Sequence, residues 1–486
     1  MNLPPLSAQQ ATTRFASASA FARALYSALL YALAPVIVLR LCWRSRRQSG
    51  YLQHLSERFA FYPRRIKQHN EPPLLWLHAV SVGETRAAAP LIEALLSAYP
   101  QHQLLLTHMT PTGRASGLTY LERYPGRVKQ AYLAYDFPGA ARRFLQHYCP
   151  QLGLLMETEL WPNLLAQARQ LGVPMALINA RLSLRSQRGY AKWPALTRPA
   201  FASLSFVSAQ SQADAERIRQ LGVSASPTSP TPSTLPTLSV CGNLKFDTQP
   251  DVQQLALGAR YKQHLNTPQR RPILLAASTR DGEEALLLDQ LPELMRIPGL
   301  LLVIVPRHPQ RFDEVAALLV QRALRYCRRS AQQHVDPRDA RYLAELPSAQ
   351  TQVWLGDSMG ELALYYSLAD YALIGGSFLP FGGQNLIEAA ACACPTVLGP
   401  HTFNFSQAAD DAVACGAARR VADMASAVVL LKDLLQDPEQ SQSMRAAALA
   451  FSQAHRGATA RNLALIQAVL PSAAVSAPEA PLRLLR

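Results

Sequence analysis

Short apolar runs alternate with amphipathic stretches along most of this chain, and the rhythm starts at residue 73. PLLWLHAV, HQLLLTHM, VKQAYLAY, LGLLMETE, PMALINAR, SFVSAQ and LSVCGNL read as strands. Stretches such as AAAPLIEALLSAY, AARRFLQHY and QADAERIRQLG lie between them with helical spacing. Strands alternating with helices of this length predict a parallel sheet covered on both faces. Residues 224–238, SASPTSPTPSTLPTL, interrupt the pattern and predict a flexible surface loop with no packing role. Near residue 272 the rhythm returns, with PILLAAST, GLLLVIVPRHP, TQVWLGD, YALIGGS and PTVLGP as strands. The fold class is therefore α/β, with two Rossmann-like domains spanning residues 48–247 and 248–470. In such sheets ligands bind at the carboxyl ends of strands, and with two domains the expected site is the cleft between them. Residues 471–486 read as a flexible tail and residues 1–20 as a polar leader.

The run ALYSALLYALAPVIVLRLCW, residues 24–43, is apolar apart from Ser27 and Arg40. As a helix it is about 30 Å long, close to the hydrocarbon thickness of a bilayer. Arg40 lies near its end, where a long side chain snorkels, and Pro35 is tolerated in a membrane helix. Residues 21–47 are thus predicted to form a membrane-anchor helix with a basic flank, Arg44, Arg46 and Arg47. Only Arg14 and Arg23 lie upstream, so the charge bias favours the cytoplasm for the C-terminal side of the helix. The alternatives are an interfacial helix, a helix packed on the protein itself, or a signal peptide. No small-residue cleavage site follows the apolar core.

Composition narrows the partners. The net charge of +15 points to an anionic partner or to a solvated surface rich in arginine. With no zinc-finger spacing, aromatic-basic signature or compact basic tail, nucleic acid is not expected. The 7 cysteines follow no framework spacing, which suits reduced thiols in the cytosol. Cys392 and Cys394 read as small packing residues.

Candidate chemistry follows the strands. In HAVSVGE, the stretch Ser81-Val82-Gly83-Glu84 fits an S-x-x-E capping box. The functional alternative makes Glu84 a general base at the cleft rim, a role worth ~10²–10⁴ in rate for a sugar alcohol. In THMTPTG, Thr110, Thr112 and Gly113 offer amides at a helix start to an anion, or form an ordinary loop. In METELWPN, Glu157 and Glu159 lie on one side if the strand continues through them, to contact sugar hydroxyls, buttress a base or answer a helix dipole. In INARLSLRSQRGY, Arg181, Arg185, Arg188 and Tyr190 suit a carboxylate or lipid phosphate, or a solvated basic face.

The second half has three such stretches. ASTRDGEE carries Ser278 and Arg280, and VPRHP places Arg307 and His308 at a strand end, suited to an anionic leaving group. GGSFLPFGGQNLIEAAACACP is the strongest signal: Gly375, Gly376, Gly382 and Gly383 permit close backbone approach. Asn385 is placed to cap the next helix, whose start suits phosphate, and Glu388 one turn in suits a ribose diol. A Gly-rich turn followed by a helix is the plainer reading of the same residues.

At these residues the chain resembles the 3-deoxy-D-manno-octulosonic acid (Kdo) transferases that act on lipid A precursor. The matching stretches, in the family's order, include LYSALLYALAPVIVLRL, HAVSVGE, THMTPTG, YDFPGA, METELWPN, INARLS, AQSQADAER, GNLKFD, ASTRDGEE, VPRHP, LGDSMGEL, GGSFLPFGGQNLIE and GPHTFNF, over residues 25–405. The resemblance implies a GT-B architecture, two Rossmann-like domains facing a cleft, with lipid acceptor on the first and CMP-Kdo on the second. It implies inverting transfer with no metal and no cofactor, at the cytoplasmic face of the inner membrane, with Glu84 as the base. No D-x-D motif sits in a suitable strand-end loop, in keeping with metal independence. Arg307, His308, Lys245 and the helix start near Asn385 would stabilise the leaving CMP. Ser278, Gly375, Gly376, Gly383 and Glu388 complete the expected donor set. Ser81, Gly83, Thr110, Thr112, Gly113, Glu157, Glu159 and Arg181 form the acceptor or sugar set. An arginine from 181–188, or Arg280, would pair with the Kdo carboxylate. The basic surplus suits a phosphorylated glycolipid at an acidic membrane surface.

This chain departs from the family pattern at Arg280, usually His, and at Gln384 and Leu386, usually His and Pro. The loop 224–238 and the leader 1–20 read as additions. Two other readings stand beside this one: a GT-B sugar-nucleotide epimerase, and a membrane-bound protein that binds anionic glycolipid without catalysis.

Overall fold

The computed structural model describes residues 8–48, 50–63, 71–223, 237–332 and 345–470. Nearly all of the Ser/Thr/Pro stretch (224–236), the tail 471–486 and residues 1–7 lie outside them. The chain forms two units, one of Met1–Asp247 with Gly457–Arg486, the other of Thr248–Arg456.

In the first unit the predicted strands are β1 Leu74–His78, β2 Gln103–His108, β3 Val128–Tyr132, β4 Leu152–Met156, β5 Met175–Ala180, β6 Phe206–Ala209 and β7 Thr237–Val240. They form one parallel sheet in the order β3-β2-β1-β4-β5-β6-β7. β1 is buried from end to end, because alternate residues feed two cores. Leu74 and Trp76 join the core on one face, Leu75 and Leu77 that on the other. A strand with both faces covered must be apolar throughout, which is why β1 reads as a run. β1 pairs with β2 on one side, Leu77 opposite Leu106, and with β4 on the other, Leu77 opposite Leu154. The direction of the winding reverses there, so the loops leaving β1 and β4 share the switch point of the sheet.

The sequence rhythm closed the second domain at 470, but the helix Ala458–Val469 belongs to the first unit. Asp247 accepts from the Gly457 amide at 2.6 Å and from Thr459 N, and caps the first turn. Ala458 and Ile466 complete the β1 core, and the Tyr99 hydroxyl donates to the Leu470 carbonyl at 2.6 Å. An amphipathic pattern states that a helix covers a sheet, not which sheet.

The N-terminal helix runs Ala8–Arg47, so it starts inside the predicted polar leader. Its segment Ser17–Arg46 is long and apolar enough to cross a membrane.

The second unit carries β8 Ile273–Thr279, β9 Leu301–Pro306, β10 Tyr326–Arg328, β11 Val353–Leu355, β12 Tyr371–Ile374, β13 Thr396–Leu398 and β14 Ala418–Arg420. The sheet is again parallel, ordered β10-β11-β9-β8-β12-β13-β14. Its winding reverses between β8 and β12, which pair with Leu373 opposite Ala276.

Candidate active site

In the first unit, Ser81 is extended and precedes the short helix Val82–Ala87. Glu84 in the first turn folds back, its Oε2 accepting from the Val80 amide at 2.8 Å and its Oε1 from the Ser81 hydroxyl at 3.3 Å. This differs from the predicted capping box. The Ser81 side chain bonds no helix amide; it donates to the carboxylate instead. Gly83 is exposed and leaves the space beside the loop open, since an added Cβ would meet only Ser81 Oγ, at 3.8 Å.

The THMTPTG stretch seats this loop. The Met109 amide and Thr110 hydroxyl donate to the Val80 carbonyl at 3.1 and 3.3 Å. At Gly113 a Cβ would stand 3.1 Å from that same carbonyl, so glycine lets the segments close. Thr110 caps the helix Pro111–Arg123 by accepting from Gly113 N at 3.0 Å, and Thr112 Oγ1 lies 3.5 Å from Thr110 Oγ1. The Gly113 amide that was expected to meet an anion is thus already bonded, as is that of Arg114, to the Thr110 carbonyl.

β4 stops at Met156, so strand alternation does not relate Glu157 to Glu159. Glu157 turns the chain with φ +58° and donates its amide to the Ile178 carbonyl at 3.0 Å. Lys245 was grouped with the donor residues; it lies in the first unit, Nζ 3.7 Å from Glu157 Oε1. Asn179 sets that position, because its Oδ1 accepts from Leu244 N at 3.0 Å. Arg181 follows β5 and is half-buried, whereas Arg185 and Arg188 are exposed on the helix Leu184–Ala191. The Tyr190 hydroxyl donates to the Thr158 carbonyl at 3.0 Å.

These groups perturb one another. Burial raises the Glu84 carboxyl to about 8, helped by the charges of Glu157 and Glu159 and opposed by the bonds from Val80 N and Ser81. Burial also raises Glu159, and the charge of Glu157 adds to it. Beneath the loop lie polar residues that sequence reasoning passed over. Thr107 Oγ1 accepts from Trp76 Nε1 at 2.8 Å and stands 2.9 Å from His78 Nδ1. His108 Nδ1 lies 3.0 Å from the Ala79 carbonyl, which fixes it as a donor. Burial pushes His78 down to about 3 and His108 to about 4, so both are neutral. Their signal was polar residues at fully apolar strand ends.

In the second unit, the loops after β8 and β12 touch. A Cβ on Gly375 would stand 2.3 Å from the Ser278 carbonyl, so only glycine fits. Ser278 takes a left-handed φ of +57° at that crossing. The segment from Gly376 to Gly383 closes on itself, Gly383 N donating to the Gly376 carbonyl at 2.7 Å. Glu283, not singled out in the sequence, holds the loops together. Its buried carboxylate accepts from Arg280 N at 2.8 Å, Gly376 N at 2.6 Å and Phe378 N at 3.0 Å. Arg307 donates through Nε to Gln384 Oε1 at 3.1 Å, and the Arg280 guanidinium lies 4.7 Å over the Phe381 ring. Partial burial, then Arg280, Arg307 and Arg311, lower the pKa of His308. Asn385 caps the helix Leu386–Ala391 by accepting from Ile387 N at 3.1 Å, and Glu388 is half-buried in its first turn.

The predicted residues thus fall into two groups, each at a sheet's switch point. Glu84, Ser81, Glu157, Glu159 and Lys245 gather on the first unit. Ser278, Arg280, Arg307, Gly375, Gly376, Gly383, Gln384 and Asn385 gather on the second. Among the described residues, no three His, Cys, Asp or Glu groups converge as metal ligands.

Residues 53–248 match the family model described as 3-Deoxy-D-manno-octulosonic-acid transferase (kdotransferase). The 3-deoxy-D-manno-octulosonic acid transferase of Bordetella pertussis is 43% identical over 449 residues, 91% of this chain and 98% of that one. The enzyme of the same name from Haemophilus influenzae is 34% identical over 452 residues, 92% of this chain and 99% of that one. Among solved structures, a glycosyltransferase from Rickettsia africae covers 83% of this chain and 100% of its own at 11% identity and a TM-score of 0.54. A UDP-GlcNAc 2-epimerase from Neisseria meningitidis bound to UDP-GlcNAc covers 82% and 100% at 15% identity and a TM-score of 0.52. These two share its fold alone, the GT-B arrangement of two parallel-sheet α/β domains. By its identity to the two transferases along nearly their whole length, this chain belongs to the 3-deoxy-D-manno-octulosonic acid transferase family.

Proposed function

We propose that this glycosyltransferase moves Kdo from CMP-Kdo to a hydroxyl of the lipid A precursor, with inversion and without a metal, at the cytoplasmic face of the inner membrane. The observation that carries the reading is the Glu84 carboxyl, held by Val80 N and Ser81 and raised to about 8 by burial and two neighbouring carboxylates. A base with that affinity for a proton is well matched to a sugar alcohol near neutral pH.

The acceptor oxygen attacks the anomeric carbon of Kdo while its proton passes to Glu84. The bond from that carbon to the CMP phosphate breaks, and CMP leaves with the electron pair. The proton then leaves Glu84 for solvent. Lys245 pairs with Glu157 and limits the negative charge around the base, so it is removed from the donor set. Charge on the leaving CMP falls to Arg307, whose guanidinium is oriented by Gln384, and to the loop organised by Glu283. Arg280, set over Phe381, is our choice for the Kdo carboxylate. The apolar N-terminal helix and the net charge of +15 support action at an anionic membrane.

The test is mass spectrometry of lipid IVA after incubation with purified protein and either CMP-Kdo or UDP-GlcNAc. A mass increase of one or more Kdo residues, only with CMP-Kdo, is expected. Turnover of UDP-GlcNAc alone would mean an epimerase, and unmodified lipid that still binds the protein would mean a non-catalytic glycolipid-binding protein.

A further inference from the structure

The N-terminal helix presents two opposite apolar faces, and one of them is already used. Ser27, Leu30, Ala34, Ile37 and Leu41 recur at intervals of three and four residues, one stripe of a helix. Leu30, Ala34 and Ile37 pack on the core of the first unit, and Leu41 is 4% exposed. Polar contacts fasten the same stripe. The Ser27 hydroxyl lies 3.1 Å from Asn163 Oδ1, and Tyr26 hydrogen-bonds the buried Asp136. Asp136 also accepts from the amides of Asn163 and Leu164, at 3.0 and 2.7 Å, and so caps the helix Pro162–Gln170.

Phe21, Leu25, Leu29, Leu33, Val36 and Leu39 form the opposite stripe, and they are 41–71% exposed. That stripe is about 28 Å long at 1.5 Å per residue. Its end is marked by exposed Arg40, Trp43, Arg44 and Arg46. The helix Pro194–Ala202, against which the N-terminal helix packs, starts beside exposed Trp193 and Lys192. Aromatic and basic side chains around an apolar strip match an anionic phospholipid surface.

A helix crossing a bilayer is surrounded by hydrocarbon over its whole apolar length. Here that length is fastened sideways to a charged, water-soluble unit through Ser27, Tyr26 and the Leu30–Leu41 stripe. We infer that the N-terminal helix lies in the plane of the membrane, as a ridge of the first unit, and sinks its Phe21–Leu39 face into one leaflet of anionic phospholipid without crossing it. The inference rests on the membrane reading above and adds to it that both chain ends stay on the same side.

The test places one short peptide tag before Met1 and another after Arg486 of the full chain. A membrane-impermeant protease is then applied to intact spheroplasts and to inverted membrane vesicles. Cleavage of both tags only in inverted vesicles is expected. Cleavage of the first tag from spheroplasts while the second stays protected would mean a spanning helix and overturn the inference. Protein that never sediments with membranes would overturn the membrane reading as well, so the two failures are distinguishable. A second arm uses L29D/V36D, both on the outward stripe, with vesicles of phosphatidylethanolamine and phosphatidylglycerol. At least a ~10-fold loss of vesicle binding is expected, with unchanged sedimentation mass and unchanged transfer in detergent. If vesicle binding persists while a dimer becomes a monomer, the stripe joins two copies of this chain and the inference falls.

Discussion

Replacing Glu84 with Gln keeps a carbonyl oxygen for the Val80 amide and removes both the charge and the proton acceptor. Activity and stability then move in opposite directions. Transfer falls by about 10²–10⁴ if Glu84 is the base. The stability effect depends on pH. The folded carboxyl titrates at about 8 and the unfolded one at its ordinary value of 4.5. Between those values the folded protein keeps a proton that the unfolded chain has lost. Wild-type stability therefore falls as pH climbs through that window, and the deficit is complete above the folded pKa. One pKa unit corresponds to about 1.4 kcal/mol, which sets a ceiling near ~5 kcal/mol. Glu84 is only half-buried and keeps both its bonds, so solvent screening brings the expected gain to about 1–2 kcal/mol. For a chain of 486 residues that is a Tm rise of roughly 1–2 °C. Thermal unfolding of both proteins at about pH 5 and about pH 9, with the lipid assay alongside, reads the effect. Gln should match wild type at the lower pH and exceed it at the higher. A variant no more stable at high pH would show that the fold does not hold the Glu84 proton, and the argument for a strengthened base would fail with it.

Lys245→Met removes the cation 3.7 Å from Glu157 and leaves more negative charge around Glu84. The alkaline rise of transfer should move up by about half a pH unit, measured as a pH–rate profile. Glu283→Gln weakens three bonds from the amides of Arg280, Gly376 and Phe378. A stability loss of about 2–4 kcal/mol is expected, with KM for CMP-Kdo rising more than kcat falls, read by denaturant unfolding and steady-state kinetics. Gly375→Ala drives a Cβ to 2.3 Å from the Ser278 carbonyl. It should cost at least about 2–3 kcal/mol and weaken nucleotide-sugar binding, measured by calorimetry, whereas Gly299→Ala, strained by its φ of +71° but with nothing within 4 Å of its Cβ, should lower stability and leave binding unchanged.

Apolar runs made the inner strands legible, because a strand covered on both faces has no polar alternation to confuse it. β10 (Tyr-Cys-Arg) and β14 (Ala-Arg-Arg) escaped notice: three-residue edge strands carry too few apolar positions to register. Glu84 was visible as a carboxylate after a strand, but its partners were not. The S-x-x-E spacing cannot say whether Ser81 bonds an amide or the acid itself. Glu283 was invisible for a related reason, since an acidic residue in a first helical turn usually answers the dipole in water, and here the turn is buried. Lys245 fell inside the predicted first domain, but its neighbour Glu157 could not be read from the sequence. The bond from Leu244 to Asn179, sixty-five residues upstream, keeps it with the first sheet.

The return of the chain at Gly457 makes the second unit an insertion within the first. A protein ending at residue 456 would retain all fourteen strands of the described residues. Yet Asp247 would lose the helix start it caps, Tyr99 its carbonyl partner, and Ala458 and Ile466 would vacate the core behind β1. Damage from such a late stop codon would therefore surface behind β1 and the Glu84 loop of the first unit, not in the second unit, whose last helix, Pro438–Ala454, it directly follows in the chain.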